Sequence, residues 1–237
     1  MKTEAGHPLY SVVVPAYQAT DVLRTCLEAL IRQTLPRDSY EIIVVDDGST
    51  DGTASVARSA GVDCVVSIAH GGPAMARNAG VNHARGEIVL FTDADCAPAP
   101  DWLAQMAAPF ADPQVQGVKG SYRTRQREVI ARLVQLEYAI RYERMARLPA
   151  IDFIDTYSAA YRRNLLLSYG GFDAAYPIPS VEDVDFSFRV ARDGHRLVFA
   201  PQAQVEHRHP ASLWRYLARK GLYGYWRALL YMRYPDK

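Results

Sequence analysis

Asp93 and Asp95 are separated by one residue and follow a largely apolar run in the first half of the chain. That run, residues 87–90, is typical of a buried strand, so both carboxylates are expected where the strand ends. Carboxylate oxygens are hard ligands that suit Mg(II) or Mn(II), and these ions commonly bridge protein oxygens and substrate phosphates. The pair therefore predicts a site for a metal-bound diphosphate.

Strands and helices alternate four times along the stretch that leads to this pair. Residues 10–14 predict a buried strand that ends at Pro15, because proline cannot continue a central ladder. Further strands are predicted at residues 41–45, near residues 64–66 and directly before the aspartates, with a helix from Pro73. The helix after the first strand has an apolar face made of Val22, Leu23, Cys26, Leu27, Leu30 and Ile31.

This alternation predicts an α/β fold, in which a mostly parallel twisted sheet is flanked by helices within a single domain. Ligands of such sheets bind outside the carboxyl ends of the strands. Residues 15–17, residues 46–48 and residues 93–95 all follow predicted strands. One crevice is therefore expected to collect all three groups.

The second half of the chain is less regular. Asp101 is expected to cap a helix that reaches Phe110. Strands are predicted at residues 115–118, 156–161 and 195–200, and helices at residues 125–147, 182–190 and 211–234. Apolar residues lie mainly on one side of the 125–147 helix, namely Val129, Ile130, Leu133, Val134, Leu136 and Ile140. No linker is evident, so the prediction is one catalytic domain over residues 8–210, with halves 8–97 and 98–210, and a C-terminal segment 211–237.

The composition is that of an ordinary folded protein, with 49% hydrophobic and 22% charged residues. No apolar run is long enough to predict a membrane-spanning helix, and residues 1–7 lack an apolar signal core. Cys26, Cys64 and Cys96 are odd in number and scattered, which fits a reducing compartment better than a disulfide framework. A cytoplasmic location is therefore predicted.

The net charge of +1 is unevenly distributed. Residues 122–147 hold seven Arg and three Glu, and residues 207–237 hold seven Lys or Arg and one Asp, so the two segments carry +10 and the remainder −9. Two basic helical segments indicate an anionic partner surface, although for the first segment a solvated helix face is the preferred explanation. Nucleic acid is not an expected partner, because neither segment contains a groove-reading or base-stacking motif.

The C-terminal segment also concentrates Trp and Tyr, which prefer the headgroup region of bilayers. Residues 211–234 therefore predict a helix that lies on a membrane surface, at the inner face of the plasma membrane, near a lipid-linked acceptor. The alternative is a helix that packs its aromatic side chains on the catalytic core.

Five short motifs follow one another in a fixed order, and the order carries more weight than any one of them. They are residues 12–17, residues 44–51, residues 72–80, residues 93–95 and the pair Glu182-Asp183. Over roughly residues 8–210 the chain resembles the family 2 glycosyltransferases, which are inverting, nucleotide-sugar-dependent enzymes with a Rossmann-like A-type fold. It is most similar to bacterial members whose C-terminus lies next to a membrane.

The resemblance implies a nucleotide site at the first two strand ends. Pro15, Ala16 and Tyr17 would frame the base, and Asp47 would accept a hydrogen bond from a base N–H, which favours uracil or thymine and hence a UDP-sugar. Asp47 beside a glycine is also a common turn-former, and both roles can hold at once.

The resemblance also assigns the diphosphate. Arg77 would approach the base or the phosphates, since a guanidinium matches phosphate geometry. Asp93 would contact the ribose, Ala94 would offer its backbone N–H, and Asp95 would bind the metal ion, Mn(II) or Mg(II). The ion would assist departure of the nucleoside diphosphate as a Lewis acid. The alternative for Arg77 is a surface charge on a helix.

An inverting displacement needs one general base on the acceptor side, and the matching residue is Asp183. It lies in the first turn of a predicted helix, whose dipole favours the ionised carboxylate, although acidic residues there often only cap the helix. Glu182 is predicted to orient the acceptor or to serve as an alternative base. Relatives often place a His on the metal or the pyrophosphate. His207 is preferred to His209, on the expectation that these two residues of an extended segment face opposite ways and that only one of them can enter the site.

Three other functions are weighed on the same motifs. A sugar-phosphate nucleotidyltransferase needs a Gly-rich basic loop after the first strand, which residues 15–18 do not provide. A non-catalytic nucleotide-sugar-binding scaffold has no need of an acceptor-side base, so Asp95 and Asp183 together argue against it. A phosphatase of the Asp-x-Asp-x-Thr type is rejected because Ala97 stands at the Thr position.

Overall fold

The computed structural model describes residues 6–176 and 181–234, so residues 235–237 of the predicted C-terminal segment lie outside it. The strands are β1 (Tyr10–Ala16), β2 (Tyr40–Asp46), β3 (Cys64–Ser67), β4 (Ile88–Phe91), β5 (Ala97–Pro98), β6 (Val115–Arg123), β7 (Ala159–Arg162) and β8 (Arg196–Glu206). The helices are α1 (Thr20–Ile31), α2 (Thr53–Ser59), α3 (Pro73–His83), α4 (Trp102–Ala107), α5 (Val129–Met145), α6 (Arg163–Ser168), α7 (Glu182–Arg192) and α8 (Leu213–Arg233).

The strands form one sheet in the order β3-β2-β1-β4-β7-β6-β8-β5. Its first four strands are parallel, as the alternation predicts. Successive residues of a strand point to opposite faces. Val12, Val14, Ile42 and Val44 accordingly pack with α1, while Val13, Ile43 and Val45 pack with α3. These β-branched residues bury both faces of the sheet, which fixes the strand ends that form the site.

Strand β1 continues through Pro15 to Ala16, so the prediction that it ends at Pro15 was wrong. The ladder between β1 and β4 ends where Val13 pairs with Phe91, whereas the ladder with β2 continues to the pair Ala16–Asp46. At Pro15 the strand therefore has a neighbour on one side, and the missing proline N–H does not interrupt a central ladder.

The second half of the chain adds both parallel and antiparallel strands to the same sheet. Strand β7 is antiparallel to both β4 and β6, and β8 is parallel to β6 and antiparallel to β5. Among the seven strand pairs in the described part of the chain, four are parallel, so the predicted fold class is confirmed. Strands β6 and β8 extend beyond the predicted 115–118 and 195–200, and residues 156–158 form a 3-10 turn before β7 begins.

Several predicted helix boundaries shift. The predicted helix from Asp101 to Phe110 divides into α4 and a following 3-10 turn at Ala108–Ala111, and the Asp101 side chain makes no capping hydrogen bond. Helix α5 begins at Val129 rather than at residue 125.

Most of the predicted apolar stripe of α5 faces away from the described core. Val129, Leu133, Leu136 and Ile140 are exposed, whereas Val134 of the stripe is buried together with Ala131 and Met145. Helix α8 is similar: within it, Leu230 is the one fully buried residue. None of the described helices combines the length and apolar character that crossing a bilayer requires.

Candidate functional site

A crevice at the carboxyl ends of β1, β2 and β4 consists of two adjoining cavities. The strand-end cavity, about 1000 Å³, is lined by Pro15, Ala16, Tyr17, Asp47, Ala94 and Asp95. The helix-walled cavity, about 290 Å³, is lined by Glu182, Asp183, Asp155, Tyr157, Arg141 and Arg227. Both are bordered by Arg77, Asp93, Tyr122, His207, His209 and Arg219. Every residue predicted for the site from the sequence therefore lines one or both of these cavities.

Tyr17 and Asp47 form the outer wall of the strand-end cavity together with His70. The ring of His70 stacks on the half-exposed ring of Tyr17 with centroids 4.1 Å apart. Buried Asp47 accepts hydrogen bonds from the backbone N–H groups of Gly71 (2.8 Å) and Gly72 (2.9 Å), and His70 Nδ1 lies 2.9 Å from its Oδ2. Asp47 thus organises the turn after β3, and its Oδ1, which accepts one of these bonds, keeps further acceptor capacity.

His70 was not predicted from the sequence. A histidine four residues after the predicted strand near 64–66, and directly before Gly71-Gly72, was the available signal, because the carboxyl ends of neighbouring parallel strands meet at one edge of the sheet.

Arg77 lies at the junction of the two cavities and is 5% exposed, which excludes the surface-charge interpretation. Its guanidinium donates hydrogen bonds to Glu182 Oε1 (2.8 Å) and to Asp93 Oδ1 (3.1 Å). Burial opposes the positive charge, but Asp93 and Glu182 outweigh it and raise the pKa of Arg77. Arg77 Nε is buried without a hydrogen-bond partner in the described part of the chain. The arrangement is a buried cation with donor capacity left over.

Asp95 and His207 form the pair best suited to hold a metal ion. Asp95 is half exposed to the strand-end cavity, and its Oδ2 lies 3.4 Å from Nε2 of buried His207. One ligand atom each from Asp93, Asp95 and Cys96 lies within 4.8 Å of the others. Burial raises the pKa of the Cys96 thiol well above its usual range, so this sulfur stays protonated. The remaining oxygen and nitrogen donors fit Mn(II) or Mg(II).

The expectation that only one of the two histidines can enter the site was wrong. His207 and His209 line both cavities, and their ring centroids are 5.4 Å apart. Residues i and i+2 of an extended segment lie on the same face, so the premise of that expectation was itself wrong. His209 Nε2 lies 3.0 Å from Gln135 Oε1, and burial lowers the pKa of His209 to about 4. His207 is the histidine beside Asp95.

Asp183 lies in the first turn of α7 and faces the helix-walled cavity. Its Oδ2 accepts hydrogen bonds from the Thr156 backbone N–H (2.9 Å) and hydroxyl (3.2 Å). Burial and the negative charges of Glu182 and Asp155 raise the pKa of Asp183 to about 7, with Arg77 partly opposing them. Burial thus outweighs the helix dipole on which the sequence argument relied. A carboxylate with a pKa near neutrality can accept a proton at neutral pH.

Asp155, which lines the helix-walled cavity, belongs to a buried ion pair that was not predicted from the sequence. Lys119 is fully buried, with its Nζ 2.5 Å from Asp155 and 2.9 Å from the Tyr157 hydroxyl. A lysine directly after the predicted strand 115–118 was the available signal, because a buried cation requires a partner. The pair supplies the Asp155 charge that acts on Asp183.

Comparisons with known proteins extend these observations. The family model described as Glycosyl transferase family 2 matches residues 11–170. A glycosyltransferase named AglE, from Haloferax volcanii, is 28% identical over 228 residues, which are 90% of this chain and 70% of the relative. The pre-mycofactocin glycosyltransferase of Mycobacterium tuberculosis is 31% identical over 98% of this chain, which spans 49% of that relative.

Solved structures show the same architecture. The mannosyltransferase PcManGT from Pyrobaculum calidifontis, in complex with GDP-Man and Mn²⁺, superposes with a TM-score of 0.73 and 30% identity. The match covers 86% of this chain and 58% of that one. S. aureus TarS in complex with UDP has a TM-score of 0.66 and 23% identity over 83% of this chain and 59% of its own, a likeness of fold alone.

Proposed function

Because the chain belongs to glycosyl transferase family 2, we propose that it is an enzyme that moves a sugar from a nucleoside diphosphate, a UDP-sugar, to an acceptor hydroxyl with inversion at the anomeric carbon. The observation that carries the proposal is the single crevice that brings together the strand ends, the Asp93–Asp95 pair and Asp183.

The nucleotide would occupy the strand-end cavity. The stacked rings of Tyr17 and His70 offer a flat wall for the base, next to Pro15 and Ala16. Asp47 would accept a base N–H through the capacity that its bonds to the glycine backbone leave free. The GDP-Man bound by the Pyrobaculum neighbour makes guanine the competing base.

The sugar and the diphosphate would extend from this wall toward Arg77. Asp93 would contact the ribose, and Ala94 would offer its backbone N–H. The unpartnered Nε of Arg77 supports its approach to a phosphate oxygen.

Asp95 and His207 would hold the Mn(II) or Mg(II) ion. The Mn²⁺ in the Pyrobaculum complex and the oxygen and nitrogen ligand set support this assignment. Bound there, the ion would neutralise negative charge on the departing diphosphate.

The protein's own contribution to the reaction is proton removal and orientation. Asp183 accepts the proton of the acceptor hydroxyl while that oxygen bonds to the anomeric carbon. The bond from the same carbon to the diphosphate oxygen breaks, and the nucleoside diphosphate leaves. Glu182 is 3% exposed and bound to Arg77, which supports a positioning role for it, with Asp183 as the base.

The acceptor is proposed to be a carbohydrate or a lipid-linked compound, presented at the inner face of the plasma membrane. Exposed apolar side chains on α5 and α8, including Leu136, Trp214 and Met232, lie among the arginines of both helices. Vesicles with anionic lipid should bind the protein at low salt and release it at high salt, with neutral vesicles as the control. An absence of binding to anionic vesicles would count against membrane contact.

Donor use is tested by thermal shift with UDP, GDP and dTDP, each with and without Mn(II), since a ligand of the folded state raises the melting temperature. UDP release from a UDP-sugar supports a transferase. Pyrophosphate release from UTP and a sugar phosphate would instead indicate a nucleotidyltransferase, and binding without either turnover a scaffold.

A further inference from the structure

The cationic side chains of the helix-walled cavity differ in whether a carboxylate binds them. Lys119, which is fully buried and does not line the cavity, pairs with Asp155 at 2.5 Å, and Lys220 pairs with Glu137 at 2.7 Å. Arg77 forms ion pairs with Asp93 and Glu182. The other cationic side chains that line this cavity are those of Arg141, Arg219 and Arg227.

These three arginines form no ion pair with any carboxylate within residues 6–176 and 181–234. Arg141 is half-buried, and its guanidinium lies 5.5 Å from the ring centroids of both Tyr138 and Phe153. Two aromatic rings therefore hold this cation at the wall. Arg219 donates from Nε to the Tyr223 hydroxyl at 3.1 Å.

The α8 wall is also open at Gly224, which lines the helix-walled cavity. A Cβ placed on Gly224 would meet no atom within 4 Å. Glycine inside a helix costs about 0.5–1 kcal/mol relative to alanine, so packing against protein gives no reason for it here. The space beside it is available to a ligand.

We propose that Arg141 and Arg227, with Arg219 at the border, form a binding site for a phosphate group of the acceptor, separate from the donor diphosphate. The proposal rests on the proposed function, since it takes Asp183 as the base for the acceptor hydroxyl. Arg141 and Arg227 line the helix-walled cavity and not the strand-end cavity, so they lie on the acceptor side of Arg77. Guanidinium groups match phosphate oxygens in charge and geometry. The acceptor class is therefore a hydroxyl compound with a phosphate or diphosphate ester.

The test is calorimetric titration of glycerol phosphate into the full chain saturated with UDP and Mn(II). Arg141→Gln and Arg227→Gln are each expected to weaken glycerol phosphate binding by about tenfold, because charged hydrogen bonds are lost. Both variants should keep wild-type affinity for UDP. Arg144→Gln is the matched control, since it removes the same charge from an exposed position of α5 outside both cavities and should change neither affinity.

The outcomes separate this proposal from the donor assignment. If wild type fails to bind UDP with Mn(II), the proposed function is wrong. If UDP binds but glycerol phosphate does not bind, competes with UDP, or binds wild type and both variants equally, the acceptor phosphate site is wrong. Short-chain phosphatidic acid distinguishes the sources: tighter binding than glycerol phosphate through the same arginines indicates a lipid phosphate, and equal binding a water-soluble one.

Discussion

The two halves of the crevice are built in different ways. The strand-end cavity rests on the parallel strands β1, β2 and β4, whose apolar residues are almost all buried, and strand β2 is buried at each of its positions. The helix-walled cavity is closed by α5 and α8, which expose most of their apolar side chains. Donor-side geometry therefore follows from core packing, whereas acceptor-side geometry depends on polar contacts between helices.

Helix α8 illustrates the contrast. Near its start, Tyr216 and Lys220 both bind the Glu137 carboxylate of α5, at 2.6 and 2.7 Å. At its end, Arg233 and Tyr234 both bind Asp185 of α7, at 3.1 Å each. The Lys220–Glu137 pair is at the surface, where an ion pair contributes little stability, whereas Asp185 is buried. The start of α8 is therefore expected to open more easily than the sheet.

The largest effect should come from Asp183→Asn, which removes the proton acceptor and leaves the strand-end cavity untouched. Transfer is expected to fall by about 10²–10⁴, the usual contribution of a general base, with UDP affinity unchanged. Steady-state kinetics measure the rate of sugar transfer, and calorimetry measures the affinity for UDP. A variant that retained wild-type turnover would remove Asp183 from the mechanism.

Asp95→Ala should have the opposite pattern, because it alters the donor side and leaves Asp183 in place. UDP affinity in Mn(II) is expected to fall by about a hundredfold, while the weaker metal-free affinity should stay the same. Calorimetry with and without Mn(II) gives both values. Equal UDP affinity of wild type and variant in Mn(II) would contradict the metal assignment.

The same contrast explains what the sequence could predict. The β1, β2 and β4 ends and the Asp93–Asp95 pair follow local rules of periodicity and strand termination, and the structure places them within one crevice. The Lys119–Asp155 pair joins residues 36 positions apart, and Arg77 meets Glu182 across 105. No local pattern encodes such distant pairing.

The outward-facing stripe of α5 was misleading for a related reason. An amphipathic pattern reports that one helix face differs from the other, and it does not identify what covers the apolar face. Val129 and Leu136 are exposed at 79% and 55%, so described protein atoms do not bury that face. Likewise, the pKa of Asp183 is raised by burial and by the charges of Glu182 and Asp155, which periodicity cannot reveal.

Gly224→Leu should reduce acceptor use without affecting the donor. A leucine side chain at residue 224 would project from the α8 wall into the helix-walled cavity, so the apparent KM for the acceptor is expected to rise by about tenfold or more. Gly221→Leu is the matched control, because residue 221 has equally open space and lines neither cavity. Equal effects of both substitutions on the acceptor KM would contradict the assignment of this cavity to the acceptor.

The pH dependence should follow Asp183. Its carboxylate must be deprotonated to act, so with saturating donor and metal the turnover number should fall by about tenfold per pH unit below about 7. The charged or titratable groups around it are Arg77, Lys119, Asp155, Tyr161, Glu182 and Tyr223.

Glu182→Gln tests the origin of that pH limit. It removes a negative charge that raises the pKa of Asp183, so the acid limb of the profile should move to lower pH. If turnover falls by the same factor at every pH, Glu182 acts through structure alone.

The smallest expected effects come from a glycine-to-alanine substitution made once in α3 and once in α8, which compares how tightly the two helices pack. Gly80 lies on α3 against β1, and a Cβ there would meet Val13 Cγ1 at 2.3 Å. Val13 is fully buried in a strand paired on both sides, so neither element can yield easily. Gly80→Ala should therefore lower the free energy of unfolding by about 1–3 kcal/mol, more than the gain in helix propensity. Gly221→Ala meets no atom within 4 Å and should raise it by about 0.5–1 kcal/mol. Urea denaturation measures the free energy of unfolding of both variants. If both substitutions lowered it, α8 would pack as tightly as α3.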